Sequence, residues 1–241
     1  MNPNIINREH IKSHIVGDKK ISVVDEHQYA ILFWAEKALE IGKPLTLISI
    51  DYHPDTNPPF WMMAYQKAMA KDPEREEELV ETISSRMLDR IIPEDITTLE
   101  DIMLKMNNDE QINTAMEKGY LCDYHMINCM EKHRYATGHH YLVPEKHFGD
   151  LSDEMFKIVG FNDTLYEGPY VLDIDLDYIM KADNLSLEHS RPYFESLVQG
   201  ASCITMARSD KYFNYLRQDK SYLLDQCEAD CVSLLKNILT R

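Results

Sequence analysis

The sequence lacks several features that would place it in a broad class of protein. No run approaches the ~18 apolar residues that cross a bilayer, so no membrane partner is expected. The five cysteines form no Cys-x-x-Cys pair and are odd in number, which argues against a disulfide framework. The N-terminal residues contain no apolar signal-peptide core. Reduced thiols and the missing signal together predict a cytoplasmic protein.

Linkers, repeats and an excess of positive charge are also missing. No Gly-rich or Ser-rich tract divides the 241 residues, so residues 1–241 are expected to form a single domain. Asp and Glu number 41 against 25 Lys and Arg, which gives a net charge of −16. Such a chain repels nucleic acid, which we do not expect as a partner, and attracts cationic molecules. Hydrophobic residues make up 44%, enough for a folded core.

Alternating strand and helix patterns predict an α/β protein. The run KISVVD at 20–25 indicates a strand, apolar side chains at helical spacing over 27–41 indicate a helix, and LTLISID indicates a second strand. Strand, helix and strand at these lengths form a βαβ unit with parallel strands. Similar patterns predict strands at 121–130, 169–175 and 201–207, an acidic helical insertion at about 60–120, a loop at 131–149 and a helix at 220–239.

Three of the predicted strands end in acidic residues or histidine. Side chains two residues apart on an extended chain point to the same side, and sites in open parallel sheets form at the carboxyl ends of strands. We therefore expect seven residues to converge: His27 after the first strand, Asp51, His53 and Asp55 after the second, and Asp173, Asp175 and Asp177 after the strand at 169–175.

This set of side chains indicates a metal site. Clustered carboxylates repel one another, so a cation is needed to hold them together. Imidazoles and carboxylates without cysteine suit hard or borderline divalent ions better than a structural zinc site. Two divalent ions would balance four carboxylates, which favours a two-metal site whose ions share a water and lower its pKa.

The ordered motifs resemble those of the arginase and agmatinase superfamily of binuclear manganese ureohydrolases. The segments VVDEHQYAILFW, LISIDYHPD, YVLDIDLDYI and ITMARSD resemble more closely the UPF0489 family, which includes peptide arginases. The resemblance extends over about residues 20–215. It implies a three-layer, arginase-like α/β fold with a mainly parallel central sheet and a metal site at the C-terminal ends of the strands. It also implies two Mn²⁺ ions per chain and hydrolysis of a guanidinium group with release of urea.

The resemblance also assigns roles to individual metal-site residues. The ligands that it implies are His27, Asp51, His53, Asp55, Asp175 and Asp177. Arginases usually carry a serine two residues before the late acidic pair. In the register that we favour, Asp173 takes the place of that serine and supports a ligand from behind. In the alternative register, Asp173 and Asp175 are the ligands.

Matches on the substrate side are sparser. Arginases carry a substrate-binding glutamate after the last core strand, where this chain reads ITMARSDKY without a glutamate. The arginase histidine proposed as a proton shuttle also has no clear match. The candidates are therefore Asn57, Glu26, Ser209 and Asp210 for substrate binding, and Asp55, His139 and His140 for proton transfer.

These assignments predict a peptide arginase that converts arginine residues of a ribosomal precursor peptide to ornithine. Three alternatives stay open. One is a small-molecule ureohydrolase acting on arginine, agmatine or a related guanidino compound. Another is an amide deacetylase with one zinc on the same fold, and the third is a non-catalytic, metal-dependent binder of basic peptides. The sequence does not determine the peptide, the target arginine or the oligomeric state.

Overall fold

The computed structural model describes residues 11–130 and 138–241. The prediction of a missing signal peptide concerns residues that lie mostly outside this range. Seven strands lie within it: β1 (Ile11–Val16), β2 (Lys19–Val24), β3 (Leu45–Ile50), β4 (Leu121–Asn128), β5 (His139–Leu142), β6 (Tyr170–Asp175) and β7 (Cys203–Ala207). They form one sheet in the order β1-β2-β7-β6-β3-β4-β5. Only the β1–β2 pair is antiparallel, so the predicted α/β class with a mainly parallel sheet is confirmed.

Helices cover both faces of this sheet. They are α1 (Ala30–Ile41), α2 (Trp61–Lys71), α3 (Glu76–Leu88), α4 (Ile96–Met103), α5 (Gln111–Glu117), α6 (Asp153–Val159), α7 (Pro192–Gly200), α8 (Asp210–Leu216) and α9 (Leu224–Leu239). Apolar residues of α1, α3, α4 and α5 pack in one core, and those of α6 to α9 pack in a second core on the opposite face. The architecture is therefore the expected three layers.

The central strands are apolar because both of their faces are covered. All six residues of β3 are buried. Leu45 and Leu47 belong to the core on the α1 face, whereas Ile48 and Ile50 belong to the core on the α9 face. This alternation follows from the two-residue period of a strand. It also places Ser49 on the α1 face, one residue before the end of the strand.

Two strands were not predicted from the sequence. The edge strand β1 precedes the first predicted strand, and β5 lies in the segment 131–149 that was predicted to be a loop. Of that segment, residues 131–137 lie outside the described residues. Strand β5 reads HHYL and lacks an apolar alternation, so its parallel pairing with β4, which joins His125 to His139 and Asn128 to Leu142, decides its conformation.

The thiol and membrane predictions can also be compared with the structure. All five cysteines lie within the described ranges, and none of them is paired in a disulfide. Among the described residues, no helix combines the length and the hydropathy that a membrane span requires.

Candidate metal centre

Two groups of side chains that share Asp51 lie at the carboxyl ends of the central strands. One group joins His27, Asp51 and Asp175, and the other joins Asp51, His53 and Asp177. Within each group, one nitrogen or oxygen atom from each residue lies within 4.8 Å of the others. The structure thus brings together residues from the ends of β2, β3 and β6, as the sequence motifs predict.

The first group surrounds one nitrogen of His27. The Nδ1 atom lies 2.8 Å from Oδ2 of Asp55, 3.2 Å from Oδ2 of Asp175 and 3.5 Å from Oδ2 of Asp51. His27 is fully buried, and its Nδ1 makes no hydrogen bond despite these short distances. This arrangement is the one expected if the nitrogen and the three carboxylate oxygens bind the same cation.

The second group is closer to solvent. Nδ1 of His53 lies 2.8 Å from Oδ2 of Asp177 and 3.7 Å from Oδ1 of Asp51, and the His53 side chain is 24% exposed. Oδ2 of Asp177 and Oδ2 of Asp51 are buried and have no hydrogen-bond partner. Burying a charged oxygen without a hydrogen-bond partner is costly. These two oxygens are therefore also suited to bind a cation.

Asp173 lies behind the first group. Its Oδ2 is 2.8 Å from Nε2 of His27 and accepts a hydrogen bond from the Ser49 hydroxyl at 2.9 Å, and its Oδ1 accepts one from the Thr205 hydroxyl at 2.5 Å. The Trp34 indole in turn donates to Thr205 at 3.0 Å. Because Asp173 contacts the far nitrogen of His27, it is placed to orient that ring. This position fits the register in which Asp175 and Asp177 are the ligands, and the ligand assignment stays a prediction.

Hydrogen bonds from neighbouring elements position the other carboxylates. The Ser209 hydroxyl donates to Oδ2 of Asp175 at 2.6 Å, and the Gln111 side-chain amide donates to Oδ2 of Asp55 at 3.0 Å. Asp55 and Ser209 both have a left-handed backbone, with φ of 39° and 44°. Such conformations are uncommon outside glycine and concentrate at functional sites.

The mutual repulsion of the carboxylates appears in their pKa values. Burial raises the pKa of Asp51 well above its usual range, and the three neighbouring carboxylates raise it further. Burial and the charge of Asp175 raise the pKa of Asp177 to about 6. Burial alone would lower the pKa of His53, but its close contacts with the Asp177 and Asp51 carboxylates raise it to about 12. Without bound ions the cluster therefore holds protons that a divalent cation would displace.

A cleft of about 640 Å³ opens over the two groups. Glu26 and Asn57, two predicted substrate-binding residues, line it together with the segment that precedes α5. The side-chain amide of Asn108 donates to Oε2 of Glu26 at 2.5 Å, and that of Asn57 donates to Oδ2 of Asp109 at 2.6 Å. The wall of the cleft therefore presents two carboxylates, each held by an amide, to a substrate.

Four other predicted residues lie elsewhere or act differently. His139 and His140 are on the edge strand β5, where His139 neighbours Asp123 and His140 packs against a tyrosine ring, so the structure does not bring them to the cluster. Ser209 lines the cleft but donates its hydroxyl to Asp175. Asp210 is the exposed first residue of α8 and does not line the cleft. Its side chain accepts a hydrogen bond from the Asn214 amide.

The sequence analysis also missed residues that support the site. Ser49 could have been found, because it lies in β3 two residues before Asp51, which follows directly after that strand, and extended residues two apart point to the same face. Thr205 lies in the predicted strand at 201–207, but only the pairing of Asp173 with Thr205 across β6 and β7 shows its role. No sequence pattern marks Gln111, which lies 56 residues from Asp55.

The chemistry of this donor set fits two divalent cations. Four carboxylates and two imidazoles meet at one point, three of their buried atoms have no hydrogen-bond partner, and no cysteine takes part. Carboxylate and imidazole suit hard and borderline ions such as manganese, and a pair of such ions activates water for hydrolysis. Asp51, which belongs to both groups, is placed to bridge them.

Comparison with known proteins shows similarity at the level of solved structures. No family model and no curated protein matches the sequence. Proclavaminate amidino hydrolase from Streptomyces clavuligerus aligns with a TM-score of 0.47 and 11% identity, over 92% of this chain and 64% of that one. A hypothetical agmatinase from Burkholderia thailandensis aligns with a TM-score of 0.45 and 13% identity, over 90% of this chain and 58% of that one. This chain thus spans less than two thirds of the length of either neighbour, and the similarity assigns no activity to it.

Proposed function

We propose that this chain is a binuclear metal hydrolase of guanidinium groups, and that its substrate is an arginine residue within a peptide. The observation that carries the proposal is the pair of side-chain groups that share Asp51 beneath an acid-lined cleft. Six ligands, His27, Asp51, His53, Asp55, Asp175 and Asp177, would hold two Mn²⁺ ions. This arrangement corresponds to the arginase-like site that the sequence motifs imply.

The reaction is hydrolysis of the bond between the guanidinium carbon and the side-chain nitrogen. Water adds to that carbon, the bond breaks, and the products are urea and ornithine. Bound divalent ions supply the Lewis acid that makes water a nucleophile near neutral pH. Asp55 lines the cleft and is held by Gln111, so we assign it to accept the proton of the attacking water.

The cleft wall supplies binding for the cationic substrate. Glu26 and Asp109 carry negative charge and face the same cleft as the metal ligands. A guanidinium group presents five donors in a planar fork, so carboxylates bind it through charge-assisted hydrogen bonds. Asn108 and Asn57 hold these two carboxylates in place, which lowers the cost of ordering them when the substrate binds.

A peptide substrate is favoured over free arginine by the shape and composition of this wall. Residues 107–109, which belong to the helical insertion between β3 and β4, line the cleft together with Tyr212. Among the described residues that line the cleft there is no arginine, and Lys211 is the one lysine, so this described part of the wall has little with which to bind the α-carboxylate of a free amino acid. An arginine embedded in a peptide has no such carboxylate.

The test is urea and ornithine formation from free arginine, agmatine and a library of arginine peptides, with Mn²⁺ added and with elemental analysis of the protein. We expect about two divalent ions per chain and urea from peptides. Urea from free arginine or agmatine alone would identify a small-molecule ureohydrolase. One tightly bound zinc without manganese activation would favour the deacetylase. Peptide binding without turnover would favour the binding protein.

The matched control is Asp51→Asn, which removes the shared ligand and should release no urea.

A further inference from the structure

A second cluster of metal-binding residues lies away from the candidate metal centre. Asp123 and His125 are two residues apart on β4, and His139 is the register partner of His125 on the neighbouring parallel strand β5. Their side chains therefore share one face of the sheet. One nitrogen or oxygen atom from each of the three residues lies within 4.8 Å of the others.

This cluster is separated from the proposed Mn²⁺ ligands by the sheet. The His125 ring packs against Phe161 and Tyr166, with centroid separations of 5.7 Å and 6.2 Å. Phe161 belongs to the core on the α9 face, whereas Asp173 and Ser49 point to the α1 face. His125 also lies three residues before the end of β4, away from the carboxyl edge where the other ligands converge.

An unsatisfied buried nitrogen points into the cluster. His125 is 1% exposed, and its Nε2 has no hydrogen-bond partner. Its Nδ1 lies 3.0 Å from the Tyr141 hydroxyl. If Nδ1 carries the proton and donates it to Tyr141, the Nε2 lone pair faces Asp123 and is ready for a cation. The other tautomer would bury an N–H that lies 3.8 Å from Oδ2 of Asp123, too far for a hydrogen bond.

The separations lie near the dimensions of a tetrahedral zinc site, and one of the two falls within the expected range. Zinc bonds of about 2.0–2.2 Å place neighbouring ligand atoms about 3.3–3.6 Å apart. Oδ2 of Asp123 lies 3.4 Å from Nε2 of His139 and 3.8 Å from Nε2 of His125. The two imidazole rings are stacked, with centroids 4.7 Å apart and an interplanar angle of 11°. A shared ion must lie in the plane of both rings, so His139 has to tilt, and its side chain is 56% exposed and has room to do so.

From this geometry we propose that Asp123, His125 and His139 bind one zinc ion, with water as the fourth ligand. Two imidazoles and one carboxylate form a borderline donor set that suits zinc. The ion joins β4 to β5 through side chains, in addition to the backbone hydrogen bonds between the strands. The bound ion stabilises the pairing of the short edge strand β5, which contributes four residues to the sheet. Bound zinc therefore stabilises the fold by mass action.

The experiment compares zinc binding in the wild type and in three single variants. Metal-stripped protein is titrated with Zn²⁺ by calorimetry and with Co²⁺ by visible absorption, which reports four-coordinate geometry. The first variant is His139→Ala, which changes an exposed side chain. The second variant is Asp123→Asn, which keeps the size of the side chain. The control is His140→Ala, the next residue on the same strand, whose side chain points to the opposite face.

We expect His139→Ala and Asp123→Asn each to bind one zinc equivalent fewer than the wild type, and His140→Ala to bind the same number. To keep the two sites apart, the titration is repeated in an Asp51→Asn/Asp177→Asn background, where one zinc equivalent should remain and should raise the midpoint of thermal unfolding. If His139→Ala and Asp123→Asn bind as much zinc as the wild type, the proposal is overturned. The proposal is also overturned if the Asp51→Asn/Asp177→Asn variant binds no zinc. This outcome would leave the proposed manganese ureohydrolase activity of the wild type unaffected.

Discussion

Each nitrogen of the His27 ring faces a different set of carboxylates. Nδ1 lies among Asp51, Asp55 and Asp175, whereas Nε2 lies 2.8 Å from Asp173. The oxygens of Asp173 are engaged by His27 and by the hydroxyls of Ser49 and Thr205, so none is left to bind an ion. At the scale of single residues, the run of alternating acids on β6 thus contains one orienting carboxylate followed by two that face the cluster.

This difference predicts the effects of alanine substitutions in that run. Asp175→Ala and Asp177→Ala should each lose one bound ion, because each removes a ligand from one group. Asp173→Ala should keep both ions and weaken their binding by about 10–100-fold, as the loss of an orienting partner does. Elemental analysis and metal titration measure both effects. Loss of an ion in Asp173→Ala together with two ions in Asp177→Ala would show that the alternative register is correct.

The raised pKa values of the cluster predict that metal binding releases protons. Near pH 7 His53, whose pKa is raised to about 12, is protonated in the metal-free protein. The pKa of Asp51 is also raised above its usual range. A metal ion binds only the deprotonated groups. Raising the pH therefore favours the ion, and apparent affinity should increase about tenfold per pH unit for each proton released.

Calorimetry of Mn²⁺ binding in two buffers with different ionisation enthalpies measures this proton release. We expect at least about one proton per ion, because each group of ligands contains one imidazole. Equal heats in the two buffers, with an affinity that does not change between about pH 6 and pH 8, would contradict the assignment of His27 and His53 as ligands.

At the scale of elements, the site depends on which strands are neighbours. His27, Ser209, Asp175 and Asp51 follow β2, β7, β6 and β3, which are adjacent in this order in the sheet. The insertion between β3 and β4 then adds residues from outside the sheet: Gln111 holds Asp55, and Asn108 holds Glu26. The cluster of acids is therefore built by the sheet, and the wall of the cleft by the insertion.

Glu26→Gln tests the role of this wall in substrate binding. The glutamine keeps an oxygen that accepts from Asn108 but loses the charge that would pair with a guanidinium group. We expect kcat/KM for an arginine peptide to fall about tenfold, mainly through a higher KM. Steady-state urea release measures it, with Asp183→Asn, an exposed acid outside the cleft, as the charge-matched control. Equal losses in both variants would mean that only net charge matters.

At the scale of the whole molecule, the charge of −16 and the acid-lined cleft act in the same direction. A negative protein attracts a basic peptide over a distance, and this attraction weakens as salt screens it. Under the proposed function, this cleft would admit an arginine that is part of a chain. We expect the negative charge to favour a peptide with several positive charges over free arginine, whose carboxylate cancels one of its two positive charges.

The resulting prediction concerns substrate size. The kcat/KM for the best peptide-embedded arginine should exceed that for free arginine by at least about tenfold, roughly 1.4 kcal/mol in the transition state. The peptide value should fall with added salt more steeply than the free-arginine value. A varied peptide library is required, because a random peptide can lack the recognition sequence. Faster turnover of free arginine or agmatine than of every library peptide would overturn the prediction.

Local patterns in the sequence predict the central strands and the acids that follow them. An apolar strand and the spacing of Asp51, His53 and Asp55 are local patterns, because a two-residue period fixes the face to which each side chain points. The class of donor atoms is likewise a property of composition. For this reason local patterns predict the parallel sheet, the convergence of these side chains and their suitability for divalent ions.

The contacts between distant residues depend on the tertiary structure. The pairing of β6 with β7 and the burial of His27 join Asp173 to residues 146 and 32 positions away, and no local pattern encodes such contacts. The conformation of β5 likewise comes from its pairing with β4, which places His139 beside His125 and away from the candidate metal centre. Strand order depends on the packing of both helix layers against the sheet, and that packing is a property of the whole chain.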